Sequence, residues 1–317
     1  MLLYLARRIL YTLPIMLGVS VVCFALVHIS PGDPLISVLP PDATQDVRNQ
    51  IAAMYGFDKS YAEQFLRWLA RAAVGDLGTS IATSRPVAAE LGKAIGNTLM
   101  LAVLATLIGF VLGSIFGFVA GYFRDSWIDK LASFVSIIGV SVPHYWLGMV
   151  LVIIFSVQLN WLPATGAGPG GSADWAWDWA HIRHLILPAV TMSVIPMGII
   201  ARTVRALVAD ILSQEFITGL KAKGLLDRGV FGHVVKNAAP TALAVMGLQL
   251  GYLLGGSILI ETVFSWPGTG FLLGQAIFQR DLPLLQGTIL VLAIFFVVLN
   301  LVVDVIQTAL DPRVQRA

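Results

Sequence analysis

Side chains able to do chemistry are few in this sequence, and they do not converge. His181 and His184, in the run His181-Ile182-Arg183-His184, stand three apart, the spacing at which one helical face can offer two imidazoles to a metal ion. With Arg183 between them and no cysteine or acidic cluster nearby, that spacing does not amount to a metal site. Cys23 is the single cysteine, so no internal disulfide can form. No G-x-x-x-x-G-K-[ST] phosphate loop occurs, which argues against ATP hydrolysis of the P-loop kind on this chain, and neither H-E-x-x-H nor G-x-S-x-G is present. The expectation is a chain that is not an enzyme, with no catalytic residue and no metal ligand. What remains is a small set of polar residues in apolar surroundings: Gln249, and Asn300 with Asp304 one turn later. Such groups are costly to hold in hydrocarbon and are functional candidates for that reason.

Composition defines those surroundings. Of 317 residues, 57% are hydrophobic and 12% charged, about half the charged share of an ordinary soluble domain. Lipid must be the main solvent, and runs of about 20 apolar residues point to helices rather than a barrel. Spans fall near 9–29, 97–121, 132–158, 185–204, 240–260 and 287–310. The fold class is therefore all-α, a polytopic membrane protein of about six transmembrane helices. Arg7-Arg8 ahead of the first run resembles a secretory signal, but the run is too long and no small-x-small cleavage site follows, so it reads as a retained span. A net charge of +2 without a basic and aromatic cluster gives no reason to expect nucleic acid as a partner.

Placing both termini in the cytoplasm gathers Arg7, Arg8, Arg124, Lys130, Arg202, Arg205, Lys221, Lys223, Arg228, Lys236, Arg313 and Arg316 on the inner side, as the positive-inside rule requires. The layout is then an N-terminal transmembrane helix over 1–29, an external segment over 30–96 and a core over 97–317 with five further spans. In the external segment Val47, Ile51, Met54 and Tyr55 share a helical face, with Asp42 or Thr44 as cap and Gly56 as stop. Trp161, Trp175, Trp177 and Trp179, together with His181 and His184, are expected at the membrane interface. Gln249 falls near mid-membrane and is the candidate for lining a solute path. Asp304 lies near the cytoplasmic end of its span, where it reaches the interface, pairs with Arg202 or Arg205, or relays protons; a structural pair is preferred. Gly109, Gly113, Gly117 and Gly121 repeat every four residues, as do Gly247, Gly251 and Gly255, and such faces let helices approach closely.

The best-patterned segment is the cytoplasmic loop 205–239. Val208, Ile211, Leu212, Phe216, Ile217 and Leu220 form one apolar stripe, Lys221 and Lys223 occupy a last turn, and Gly224 suits a left-handed stop. Asp227 is placed to cap a second helix, and Pro240 to begin the next span. A helix of this kind either lies on the bilayer or docks into a groove on a cytoplasmic partner.

Phe216-Ile217-Thr218-Gly219-Leu220-Lys221-Ala222-Lys223-Gly224-Leu225, followed by Lys236-Asn237-Ala238-Ala239-Pro240, resembles the EAA-type loop of dipeptide and oligopeptide ABC importer permeases. Further stretches resemble the same family in order along the chain: Pro31-Gly32-Asp33-Pro34, Gly75-Asp76-Leu77-Gly78-Thr79-Ser80, Leu187-Pro188-Ala189, Glu261-Thr262-Val263-Phe264-Ser265-Trp266-Pro267-Gly268, Arg280-Asp281-Leu282-Pro283 and Asp311-Pro312-Arg313. Gly219 and Leu220 stand where the family commonly has alanines. The long external segment after the first span is similar to the first-subunit type of the permease pair. The resemblance implies a type I ABC importer permease (MetI-like) fold in a bacterial inner membrane. It also implies a second related permease subunit, two cytoplasmic ATPase subunits that hold ATP and Mg, and an extracytoplasmic solute-binding protein, with no cofactor on this chain. Glu215, Phe216, Leu220, Lys223 and Gly224 become the expected ATPase-coupling contacts. The solute would be a dipeptide or oligopeptide, with glutathione or a nickel complex as alternatives within the family. A membrane-embedded enzyme or a proton-coupled carrier is the alternative class.

Overall fold

Backbone amides in lipid must be satisfied within their own segment, and helices account for nearly all the regular structure of this chain. The computed structural model describes residues 2–29, 39, 43–56, 58–170 and 175–310. In order, its helices are α1 (Leu2–Ile29), α2 (Gln45–Tyr55), α3 (Tyr61–Ala73), α4 (Val87–Tyr122), α5 (Trp127–Ser141), α6 (His144–Leu151), α7 (Trp179–Ser213), α8 (Glu215–Ala222), α9 (Asp227–Val263), α10 (Thr269–Gln279) and α11 (Leu282–Leu310). α6 runs on as a π-helix over Val152–Gln158.

By length and composition α4, α7 and the Leu282–Leu299 part of α11 can each cross a membrane, and two bent pairs bring the number to five. One pair is α5 with α6 and its π-helical continuation, bent by 98°; the other is within α9, bent by 56° between Leu253 and Ser257. α1 adds a 28-residue helix with the apolar stretch Pro14–Ala25. The expected span 132–158 is therefore broken rather than straight. Val142 is extended (φ −78°, ψ 127°) ahead of Pro143, because a proline ring disfavours the helical region for the residue before it. α4 covers the expected span 97–121 and begins earlier, at Val87. α9 runs through Pro240 without a break, so no separate second helix precedes the fifth span, and Leu226 rather than Asp227 is its N-cap residue. Asp227 sits in the first turn, where its charge complements the helix dipole.

Two compact units are present. The first comprises Met1–Thr98 and Pro267–Val298. Here Thr44 caps α2 by accepting from the Val47 amide, and Gly56 ends it at φ +77°. Phe24 of α1 meets Phe65 of α3 edge to face at 5.4 Å and Trp68 at 6.2 Å. Val87 and Leu91 of α4 pack with Ala276 of α10 and Leu284 of α11. The Asn97 amide donates to the Pro267 carbonyl at 2.8 Å, and the Thr269 backbone N–H donates to the Thr98 hydroxyl at 2.8 Å.

The second unit comprises Leu99–Trp266 and Leu299–Ala317. Its α4 and α7 touch backbone to backbone along the first glycine stripe. A Cβ on Gly109 would stand 2.9 Å from Pro196 Cβ, one on Gly113 2.7 Å from the Met197 carbonyl, and one on Gly121 2.7 Å from the Arg205 carbonyl; Gly117 is closer still to the Ala201 carbonyl. The stripe thus does what its spacing predicts. On α9 a Cβ on Gly255 would meet nothing within 4 Å. Trp161, Trp177 and Trp179 are exposed, whereas Trp175 packs edge-on against His181 and the buried Trp266. His181 is buried, and its ring nitrogens meet Asp178 Oδ1 at 2.7 Å and the Pro169 carbonyl at 3.1 Å.

Candidate coupling site

The loop between α7 and α9 is built from behind. Ile200, Val204, Val208 and Ile211 of α7 face Val230, Val234, Ala238 and Ala242 of α9, and Ile217 of α8 inserts into the same buried cluster. Ile217 is 2% exposed, a burial that contributes about 2 kcal/mol to holding α8 in place. Leu220 packs against the cluster at its edge.

The expected single helix from Val208 to Gly224 is two helices. α7 stops at Ser213, and Gln214 is extended (φ −77°, ψ 145°). The cause is local hydrogen bonding: the Ser213 hydroxyl donates to the Asp210 carbonyl at 2.7 Å and the Gln214 amide to the Asp210 carboxylate at 3.2 Å, giving the chain an alternative to another helical turn. The break turns the stripe. Ile217 and Leu220 stay inward, while Phe216 rotates outward and is 39% exposed.

α8 ends as its sequence predicts. Gly224 has φ +84°, its N–H donates to the Lys221 carbonyl at 2.9 Å, and the Leu225 N–H donates to the Leu220 carbonyl at 3.1 Å. That pair of bonds is a Schellman stop, which requires a left-handed residue between them. Glu215 lies in the first turn, and Glu215, Lys223 and Gly224 are exposed. Sequence reading missed Leu225 and Leu226, which follow the stop and are exposed, Leu226 by 80%. The signal was two leucines placed beyond a helix stop, off any apolar stripe. The result is a short helix anchored by Ile217, with Phe216, Leu225 and Leu226 uncovered among charged neighbours.

Gln249 lies on α9, half-buried, and its Oε1 is buried without a hydrogen-bond partner among the described residues. Asn300 and Asp304 lie on α11, and their side chains fall outside the described residues. Arg205, offered as a partner for Asp304, is engaged elsewhere: its guanidinium meets both oxygens of Asp129. The coupling candidates therefore share one loop, and Gln249 stands apart from it.

Other family-like stretches serve the chain itself. The buried Asp281 carboxylate accepts from the Ser80 hydroxyl, from the Ala82 N–H at 3.1 Å and from the Leu284 N–H at 3.1 Å. It thereby caps α11 and fastens the stretch Gly75–Ser80 to Arg280–Pro283. In that first stretch the Asp76 carboxylate accepts from Arg71 at 2.8 Å and from the Gly78 N–H at 2.9 Å, and these bonds hold its pKa below the ordinary carboxylate value. Pro31–Pro34 and Asp311–Arg313 lie outside the described residues.

An anchored short helix between two long ones, carried by a broken-helix apolar bundle, is the arrangement of a multi-pass membrane protein with an exposed loop. Residues 109–316 match the family model "Binding-protein-dependent transport system inner membrane component", and residues 1–109 match that family's N-terminal model. The chain belongs to this family and is a permease subunit of an ABC importer, a multi-pass protein of the inner membrane. It is 36% identical to a dipeptide transport system permease protein, DppB, of Alkalihalophilus pseudofirmus, over 99% of this chain and 100% of the relative. It is also 36% identical to the glutathione transport system permease protein GsiC of Escherichia coli K12, over 99% of each chain. Among solved structures, a chain of the inward-facing MetNI methionine ABC transporter superposes with a TM-score of 0.57 at 17% identity, covering 70% of this chain and 96% of that one. That likeness concerns the fold, which is the type I ABC importer permease fold.

Proposed function

We propose that this chain pairs with a second related permease subunit to line an inner-membrane path for short peptides, driven by ATPase subunits that seat on α8. The observation that carries the reading is the outward set of Phe216 on α8 and Leu225 and Leu226 just beyond its stop, with α8 itself pinned by Ile217. Exposed apolar residues on a braced short helix suit a groove in a partner. Glu215, Lys223 and Gly224 frame that contact, and Leu220 positions it from within. ATP and Mg belong to two cytoplasmic ATPase subunits, since this chain has no P-loop sequence, and an external binding protein delivers the solute. Both termini are cytoplasmic, and the external segment is 30–96.

Closure of the ATPase pair would carry α8 as a rigid body and move α7 and α9 with it, opening the path to alternate sides. Gln249 is the pore-lining candidate, supported by an oxygen with no partner within the described chain. Asn300 and Asp304 are a candidate intramembrane pair on α11. The relatives named for dipeptides and for glutathione are equally similar, and both solutes are short peptides with free carboxylates, so the peptide class is the reading rather than one member of it. The test is uptake of labelled dialanine and labelled glutathione by proteoliposomes holding the full complex. Binding-protein- and ATP-dependent uptake of either is expected. Uptake that persists without the ATPase subunits overturns the proposal in favour of a carrier.

A further inference from the structure

Asp129, in the first turn of α5, is 3% exposed. Arg205, in the last third of α7, approaches it with Nε 2.5 Å from Oδ1 and Nη2 2.7 Å from Oδ2. The carboxylate also accepts from the Asp125 N–H at 3.0 Å and the Ser133 hydroxyl at 3.2 Å, while the Ser126 hydroxyl caps the Asp129 N–H. A two-pronged guanidinium–carboxylate contact fixes orientation as well as distance, and lysine cannot reproduce it.

The other contacts between α5 and α7 are of a different kind. Gly198 lies against the Ser136 carbonyl and Val140, and Gly139 against Val194. These are van der Waals contacts of small residues, the kind along which packed helices slide. Among the described residues, the ion pair is the polar side-chain contact that joins the two helices, and it adds a directional constraint to their register. α7 is also gripped by α4, through Gly117 and Gly121 against Ala201 and Arg205. α5 in turn leads through the 98° bend at Val142-Pro143 into α6 and the π-helix Val152–Gln158.

We propose that Asp129 and Arg205 are a positioning pair that makes α5 travel with α7, so that a displacement of α8 reaches the bent α5–α6 span. This rests on α8 being the ATPase contact. Without the pair, α7 would still move with α8 but slide along α5, and ATP would be spent without opening the path.

The test uses the assembled complex in proteoliposomes, with whichever of labelled dialanine or labelled glutathione it transports. D129N, R205K and the exchanged pair D129R/R205D are compared for complex yield, ATP hydrolysis and solute taken up per ATP. D129N and R205K are expected to assemble and hydrolyse ATP, with uptake per ATP lowered about tenfold or more and recovered at least in part by the exchange. Wild-type coupling in R205K, which keeps the charge and loses only the fork, overturns the proposal even if D129N fails to assemble. Failure of all three variants to assemble overturns it too, since the pair is then a folding brace. F216A, measured in parallel, separates the two readings. Uncoupling by F216A with normal coupling in R205K sinks only the positioning pair, whereas normal coupling in both sinks the docking role of α8 as well.

Discussion

The α8 loop and the Asp281 cluster both consist of residues that resemble family motifs, yet they point in opposite directions. Around Asp281 the bonds close within the chain: a hydroxyl and two backbone N–H groups, from Ser80, Ala82 and Leu284, converge on one buried carboxylate. Around α8 only Ile217 and Leu220 look inward, while Phe216, Leu225 and Leu226 are left uncovered. A family-like stretch can therefore close its bonds within the chain or leave an apolar face uncovered. The two cases are told apart by where the polar bonds and apolar faces end, not by the residue types.

Breaking the Asp281 cluster should give the largest loss of stability. Asp281→Ala takes the acceptor from the buried Ser80 hydroxyl and Leu284 N–H, each worth about 1–3 kcal/mol when left unsatisfied, and from the Ala82 N–H, which is less buried and costs less. A fall of roughly 3 kcal/mol or more is expected, read as a lower unfolding temperature of the purified permease in detergent. Asp281→Asn, which keeps an accepting oxygen, should lose less. An unchanged midpoint in Asp281→Ala would mean that water replaces the carboxylate and that the cluster is not closed.

The α8 loop should behave in the opposite way. A Cβ on Gly224 meets nothing within 4 Å, so Gly224→Val carries no clash, only the cost of a β-branched residue at φ +84°, about 1–2 kcal/mol. The Schellman stop should give way locally and shift Leu225 and Leu226. We expect solute-stimulated ATP hydrolysis and uptake to fall while the unfolding midpoint moves little. Full uptake with full stimulation would show that the stop does not shape the docking face.

The division between the two regions was only half legible in the sequence. Apolar runs give the helices, the Gly109–Gly121 stripe gives a close approach of backbones, and Gly224 gives a stop, because each depends on a local period or on one residue's allowed φ. The break at Gln214 is not legible in that way. It comes from Ser213 and Gln214 bonding back to Asp210, which competes with a stripe that looks continuous through Leu220. Nor is the Asp129–Arg205 pair legible. The sequence offers Arg205 to Asp304, and the crossing of α5 and α7 gives it Asp129 instead. Leu225 and Leu226 are no more legible, because an apolar pair outside a helix carries no periodicity. What the sequence hides, at Asp281 as at α8, is which long-range partner a well-placed residue takes.

The smallest expected effect lies at the rim of the closed cluster and asks whether its surface bonds matter at all. Asp76 is half exposed and pairs with Arg71 at 2.8 Å while accepting from the Gly78 N–H. The Arg71 hydrogen bond, then the Gly78 amide, lowers its pKa. A carboxylate whose folded pKa is depressed contributes stability above its unfolded value, near 3.9, and loses it as pH falls through the folded value. Asp76→Asn should therefore cost a few tenths of a kcal/mol at neutral pH, the scale of exposed pairs. The gap from the parent protein should shrink in high salt and close as the pH falls below about 3.9, towards the folded value. Hydrogen exchange at the Gly78 amide is the sensitive measure, because that N–H loses a charged acceptor in both the variant and the acidified parent. Equal protection in parent and variant at neutral pH would confine the closed character of this region to Asp281 and its three donors.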